Sequence, residues 1–248
     1  MKLEEYLMDE LKISNKKAIE ITNALDKYKK IKEKKKLNIK VPNYTLGEEL
    51  FNSISHGIGA LLSILALILM VIKAHGVLEE TTVTLFGSSM ILLYTISCVY
   101  HALSPRIEGK KVLRVIDHCN VFVLVYGTYI PISLLGIGGK TGLLLFLVIT
   151  LITTVGITIT AVKIDKTQVL QVICHLLSGW GALVLLPTLY RVLGNIGLLY
   201  LILGGVMYSI GSILYGIGHK KKYMHSVFHI FCLLGTVFHF LCIYLYLL

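Results

Sequence analysis

The chain has 248 residues, of which 55% are hydrophobic and 15% charged, and its formal net charge is +10. Its mean hydropathy of +0.77 excludes an ordinary soluble domain, which covers its surface with more charged residues. The positive charge is typical of a protein oriented in a membrane and attracted to anionic headgroups, so we expect no nucleic-acid partner.

The first element in chain order is a basic tail, residues 1–43, which holds 12 lysines. Leu3–Leu11 and Asn15–Lys36 are predicted helices, and Ser14 is a candidate cap for the second. Two interpretations stay open. The tail is either a helical unit for a protein partner or an amphipathic segment held on the membrane surface by its lysines.

Seven apolar runs follow the tail, and each approaches the length of about 20 residues with which a helix crosses a bilayer. The runs are roughly Leu50–Ala74, Val83–Leu103, Val115–Gly136, Leu143–Val162, Val169–Tyr190, Ile196–Ile217 and Met224–Leu247. They lack the alternating pattern of barrel strands. We therefore predict an all-α fold, a seven-transmembrane helix bundle over residues 44–248.

The distribution of charge predicts the orientation of this bundle. With the N-terminus cytoplasmic and the C-terminus outside, all but three of the 24 Lys and Arg residues fall on the cytoplasmic side. We thus expect a multi-pass protein of the cell membrane. All five cysteines lie within apolar runs, which favours free thiols over a disulfide framework. The sequence specifies no oligomeric state.

Polar residues in the spans converge at one depth. Asp117, near the start of span three, is the only carboxylate inside a predicted span. His101 ends span two, and Ser97 lies one turn deeper on the same face. His225 and His229 open span seven, four residues apart and so on one helix face. The predicted topology brings all five residues to the cytoplasmic ends of their helices.

This convergence predicts a Zn²⁺ site in which His101, His225 and His229 are the metal ligands. Catalytic zinc commonly has three protein ligands and leaves one position for water. Asp117 would then accept a proton from that water or orient a histidine, and Ser97 would hydrogen-bond the water or a substrate oxygen. In the alternative interpretation, the histidines join neighbouring helices or headgroups, and Asp117 pairs with Arg114.

Four further histidines lie in or beside the spans. For His56, at the start of span one, a role beside the metal and a packing role are both open. His118 points about 100° away from Asp117 on its helix, so we expect it outside the site. We expect His175 to make an interhelical hydrogen bond or to line a cavity, and His239 to pack or line a cavity.

Two motifs, Ser97-Cys-Val-Tyr-His101 and His225-Ser-Val-Phe-His229, together with Asp117, resemble those of the progestin and adipoQ receptor (adiponectin receptor-like) superfamily. The segment from Glu48 to Gly57 looks like its bacterial hemolysin III branch. The resemblance covers residues 44–248. It implies seven helices with the N-terminus inside, and zinc held by three histidines near an aspartate. Related alkaline ceramidases imply hydrolysis of a lipid amide or ester.

Three functions follow as hypotheses. The first is a zinc-dependent hydrolase that acts on membrane lipids, with Asp117 and Ser97 as its catalytic residues. The second is a non-enzymatic membrane regulator or receptor in which zinc is structural. The third, which the hemolysin name implies, is a cytolytic pore-former. We expect Pro131 and Pro187 to kink spans three and five and to open an internal cavity for an acyl chain.

Overall fold

The computed structural model describes residues 3–9, 11–34, 39–218 and 221–248. Among these residues the regular secondary structure is helical, and no strand occurs. Contacts divide the chain into two compact units, Met1–Ile39 and Lys40–Leu248. The first unit contains helices α1 (Leu3–Asp9) and α2 (Asn15–Lys34). Leu7 and Ala18 are buried between these helices, which gives the unit a small apolar contact of its own.

The second unit is a bundle of long helices. They are α3 (Leu46–Lys73), α4 (Val77–Ala102), α5 (Gly109–Pro131), α6 (Gly139–Lys163), α7 (Gln168–Trp180), α8 (Leu186–Gly218) and α9 (Met224–Tyr246). Helices adjacent in sequence pack against one another, and α3 also packs against α9. The first and last long helices of the bundle are therefore neighbours.

Six described helical stretches are long and apolar enough to cross a membrane. Five of them match one predicted span each. The remaining stretch, Gln168–Gly216, is 49 residues long and contains both predicted spans five and six. A short 3₁₀ turn (Gly181–Leu185) separates α7 from α8. Within α8, Gly194 has φ +64° and ψ −173°, a conformation that interrupts the helix and favours glycine.

Both prolines coincide with departures from α-helical geometry. Pro131 ends α5, and a π-helical segment follows it (Ile132–Ile137). Pro187 follows the 3₁₀ turn and lies in the first turn of α8, where a missing N–H leaves no helical bond unmade. Each proline therefore lies at an interruption of α-helical geometry within a membrane-length stretch, Gly109–Ile137 for Pro131 and Gln168–Gly216 for Pro187.

Close packing of α8 on α9 depends on a small residue. A Cβ atom at Gly204 would collide with the ring of His239. Small residues at such points let two membrane helices approach closely. All five cysteines are free thiols, which confirms the expectation drawn from their positions.

Candidate metal centre

Three buried histidines meet at one end of the bundle. His101 lies in the last turn of α4, and His225 and His229 lie one turn apart at the start of α9. Their side chains are almost wholly buried. The Nε2 atom of His225 is 3.3 Å from that of His101 and 3.1 Å from that of His229. The structure thus brings together the three histidines that the sequence analysis predicted as metal ligands.

These distances fit a metal site. A tetrahedral zinc ion bound to nitrogen at 2.0–2.1 Å holds its ligand nitrogens about 3.3 Å apart. One ligand atom from each histidine can be chosen so that all three lie within 4.8 Å of one another. No other group of this kind occurs in the described part of the chain. The donor set, three imidazoles, suits zinc and also copper, iron and nickel.

Asp117 and Ser97 lie beside the three histidines. The Ser97 hydroxyl, buried on α4, lies close enough to the Asp117 carboxylate on α5 to donate a hydrogen bond to it. The same carboxylate is close enough to His101 for their charges to interact. Arg114 forms its ion pair with Asp165, with 2.5 Å between Nη1 and Oδ1, and not with Asp117. The carboxylate of Asp117 is therefore oriented by Ser97 at the edge of the histidine cluster.

Glu49 is a site residue that the sequence interpretation missed. Its Oε2 atom lies 2.7 Å from Nδ1 of His101, and its Oε1 atom lies 2.5 Å from Nζ of Lys110. Glu48 and Glu49 are both buried in α3, so the prediction that Asp117 is the only carboxylate in a span was wrong. The apolar run begins at Leu50, whereas α3 begins at Leu46. The capping box formed by Thr45 and Glu48 was the sequence signal for this earlier start.

The segment from Lys40 to Thr45 lies against the histidine end of the bundle. Arg114 donates a hydrogen bond to the carbonyl of Lys40 at 2.6 Å. The ring of Tyr44 stacks on that of His225 at a centroid distance of 5.0 Å. Burial, with a smaller contribution from Tyr215, raises the pKa of the Tyr44 hydroxyl above its ordinary value. This hydroxyl therefore stays protonated and available as a donor beside the site.

Glu48 fixes the chain just before α9. Its carboxylate accepts hydrogen bonds from the backbone N–H of Thr45 and from the backbone N–H of Tyr223, at 2.8 and 2.7 Å. Tyr223 has a left-handed backbone with φ +61°, an uncommon conformation for a bulky residue. The carboxylate thus holds the turn that places His225 next to His101.

A cavity leads from the site into the bundle. Its outer chamber is bounded by Asp117, His118, Val121, Gln171, Val172, His175, Ser212, Tyr215, His225 and Phe228. A second, mainly apolar chamber shares the lining residues Val121, His175, Ser212 and Phe228 with the first, so the two chambers are adjacent. The second chamber extends past Val125 and Gly205 to His239. Asp117 and His225 therefore line a chamber that adjoins an apolar one between α5, α7, α8 and α9.

Four other histidines of the predicted spans lie beside the three-histidine cluster or line the two chambers. His118 is outside the cluster of three, as expected, but it lines the same chamber as Asp117. Its Nδ1 atom lies 3.3 Å from Oε1 of Gln171. His175 lines both chambers, and His239 lines the inner one with Nε2 3.2 Å from the Leu201 carbonyl. His56 stacks on His229 at a centroid distance of 3.6 Å and so packs against a candidate ligand.

Comparison with known proteins places the chain among relatives of similar length. A family model described as Haemolysin-III related matches residues 44–240. The chain is 34% identical over 206 residues to a Hemolysin-3 homolog of Bacillus subtilis (strain 168), with 82% of this chain and 96% of the relative covered. It is also 34% identical over 205 residues to Hemolysin-3 of Bacillus cereus, with 81% and 92% covered. The family match begins at Tyr44, so residues 1–43 lie outside it.

Proposed function

The chain belongs to the Haemolysin-III related family and is a multi-pass plasma membrane protein, and we propose that it is a zinc-dependent hydrolase of a lipid amide or ester. One observation carries this proposal. Three histidine Nε2 atoms converge beside a serine-bound carboxylate, at the mouth of an apolar cavity. A structural zinc site needs neither the carboxylate nor the cavity.

His101, His225 and His229 would hold the zinc ion through their Nε2 atoms. When bound, zinc lowers the pKa of a coordinated water toward 7 and polarises a carbonyl oxygen. Three neutral imidazoles leave a position in a tetrahedral shell for water or substrate. Since Asp117 and His225 line the same chamber, that position would face the cavity.

Asp117 supplies the base in this proposal. Its carboxylate accepts a hydrogen bond from Ser97, which fixes its direction and leaves further lone pairs for a proton from water. The water oxygen would add to the carbonyl carbon as Asp117 takes its proton. The C–N or C–O bond of the resulting adduct then breaks, and protonated Asp117 gives the proton to the departing amine or alcohol, which leaves the fatty acid as the other product. Ser97 is thus a positioning residue for the base and not a nucleophile.

The apolar passage supports a lipid substrate. The inner chamber is lined mostly by hydrophobic side chains, with Gly205 leaving room where α8 passes Trp180. An acyl chain in this passage would bring its carbonyl to the outer chamber, next to Asp117. The carbonyl is common to amides and esters, so the site accommodates either class.

Filling the passage should change the preference for acyl-chain length. Val125 lines the inner chamber, and Val125→Phe would fill space that the distal methylenes of a chain occupy. Each methylene excluded forfeits about 0.8 kcal/mol, so kcat/KM for long chains should fall roughly tenfold or more while short chains are spared. Leu144→Phe on the exposed face of α6 is the matched control. An equal loss for all chain lengths would contradict the assignment of this passage.

The proposed activity is tested with detergent-purified protein and a panel of fluorescent long-chain amides and esters. Release of the free fatty acid, dependent on added zinc after chelation, is the expected result. A protein that binds zinc but consumes no lipid would be the regulator or receptor with structural zinc. Dye leakage from liposomes that contain the protein would instead favour the pore-former.

We further propose that Gln168–Gly216 crosses the membrane twice, giving seven spans with the N-terminus cytoplasmic and the C-terminus outside. At 1.5 Å per residue a single helix of this length would far exceed the roughly 30 Å of a hydrocarbon core. The interruption at Gly194 supports a reversal there. Alkaline phosphatase fused after Leu248 should therefore be active, whereas a fusion at Glu108 should not. Activity of the Glu108 fusion alone would reverse the orientation.

A further inference from the structure

We infer that Glu49 and Lys110 form a positioning pair that prepares His101 for the metal, an inference that rests on the proposed zinc site. Glu49 lies on α3 and Lys110 on α5, and neither belongs to the three-histidine cluster. Their side chains meet beside His101. Glu49 Oε2 lies 2.7 Å from Nδ1 of His101, and Glu49 Oε1 lies 2.5 Å from Nζ of Lys110. Lys110 is completely buried, and Glu49 almost so.

Glu49 determines which nitrogen of His101 carries the proton. A carboxylate only accepts hydrogen bonds, so Nδ1 of His101 must donate to it. The neutral imidazole then presents the lone pair of Nε2, the atom that lies 3.3 Å from Nε2 of His225. The amide of Asn52, at 3.5 Å from Nδ1, is much farther than Glu49 and does not compete for that nitrogen. Carboxylates in this position orient the ring of a metal-ligating histidine and raise its basicity.

Lys110 in turn holds the carboxylate. Its ammonium group donates to Glu49 and, at 2.7 Å, to the carbonyl of Leu103, which ends α4 two residues after His101. A buried carboxylate without a counter-charge is strongly unfavourable. Lys110 therefore stabilises the charge of Glu49 and ties it to the helix end that carries His101.

The two charges of the pair act on a bound dication in opposite directions. Glu49 brings a negative charge next to a ligand and favours the cation, whereas Lys110 brings a positive charge that disfavours it. Both charges stabilise the metal-free protein, because removing either one leaves the other buried without its partner. A purely structural pair would show no such difference, since its loss would weaken zinc binding equally whichever member is removed.

The experiment is a double-mutant cycle on the full-length protein in detergent, with zinc affinity measured by chelator competition and Tm measured without metal. Glu49→Gln keeps the shape of the side chain and should weaken zinc binding by roughly 10- to 100-fold. Lys110→Met leaves Glu49 beside His101 but removes its counter-charge, so it should weaken zinc binding less than Glu49→Gln does. Each single change should lower the Tm of the metal-free protein by several degrees. Glu108→Gln, an exposed carboxylate at the start of α5, should change neither quantity.

The double variant Glu49→Gln/Lys110→Met buries no unpaired charge, so its Tm should recover while its zinc affinity stays low. This variant keeps the test decisive if a single variant folds poorly. Equal zinc affinity in Glu49→Gln and the unmodified protein would overturn the inference and leave the zinc site standing, as would an equal loss in both single variants. An unmodified protein that binds no zinc would overturn the site and the inference together.

Discussion

Replacing Asp117 with Asn should reduce lipid hydrolysis by roughly 10²- to 10⁴-fold while the protein keeps its zinc. The substitution preserves the size of the side chain and its hydrogen bond with Ser97, but an amide cannot accept a proton from water. The three histidine ligands are untouched, because Asp117 acts beside them and is not a ligand in the proposal. The measurements are kcat from fatty-acid release and zinc content from elemental mass spectrometry, on the same preparation.

Glu108→Gln is the control for this experiment, since it removes one carboxylate from the same end of the bundle without approaching the histidines. Loss of both zinc and turnover in Asp117→Asn would place Asp117 among the ligands. Undiminished turnover with zinc bound would rule it out as the base. Glu49 would then be the nearest remaining carboxylate, although both its oxygens already contact His101 and Lys110.

The histidine cluster could be predicted from the sequence because the predicted membrane topology fixes the depth of each residue in the bilayer. His101 and His225 are 124 residues apart, yet each lies near the end of an apolar run. When charge orients the runs, their ends fall at one depth, and few polar residues are present at that depth to choose from. Spacing of four residues then placed His225 and His229 on one face. These are local rules, and they were sufficient to predict that the three histidines cluster.

Glu49 and the path of α7 and α8 were beyond these rules. A hydropathy run shows where a helix is apolar, not where it begins, so four residues at the start of α3 were left out of the first span. Whether a buried carboxylate faces a histidine depends on the rotation of α3 against α4, which the sequence leaves unspecified. The interruption at Gly194 lies in the gap between predicted spans five and six, whereas the hydropathy pattern gave no signal for the 3₁₀ turn between α7 and α8.

The exchange of both α9 histidines, His225→Ala/His229→Ala, should reduce zinc from about one ion per chain to none after dialysis. Two of three ligands disappear together, and His101 alone cannot retain the ion. Zinc should also raise the Tm of the unmodified protein but not that of the double variant, because only a ligand that binds the folded state stabilises it. Elemental mass spectrometry and thermal unfolding with and without zinc measure both effects.

His239→Ala is the matched control for this exchange, since it removes a histidine from the same helix, nearly three turns beyond His229, and should leave the zinc content unchanged. Zinc retained by the double variant would move the site elsewhere in the chain. An unmodified protein without zinc would leave three imidazoles whose close nitrogens hydrogen-bond one another. In that event the double variant should unfold at a lower Tm than the unmodified protein, because removing hydrogen-bonded groups from a buried cluster destabilises the metal-free bundle.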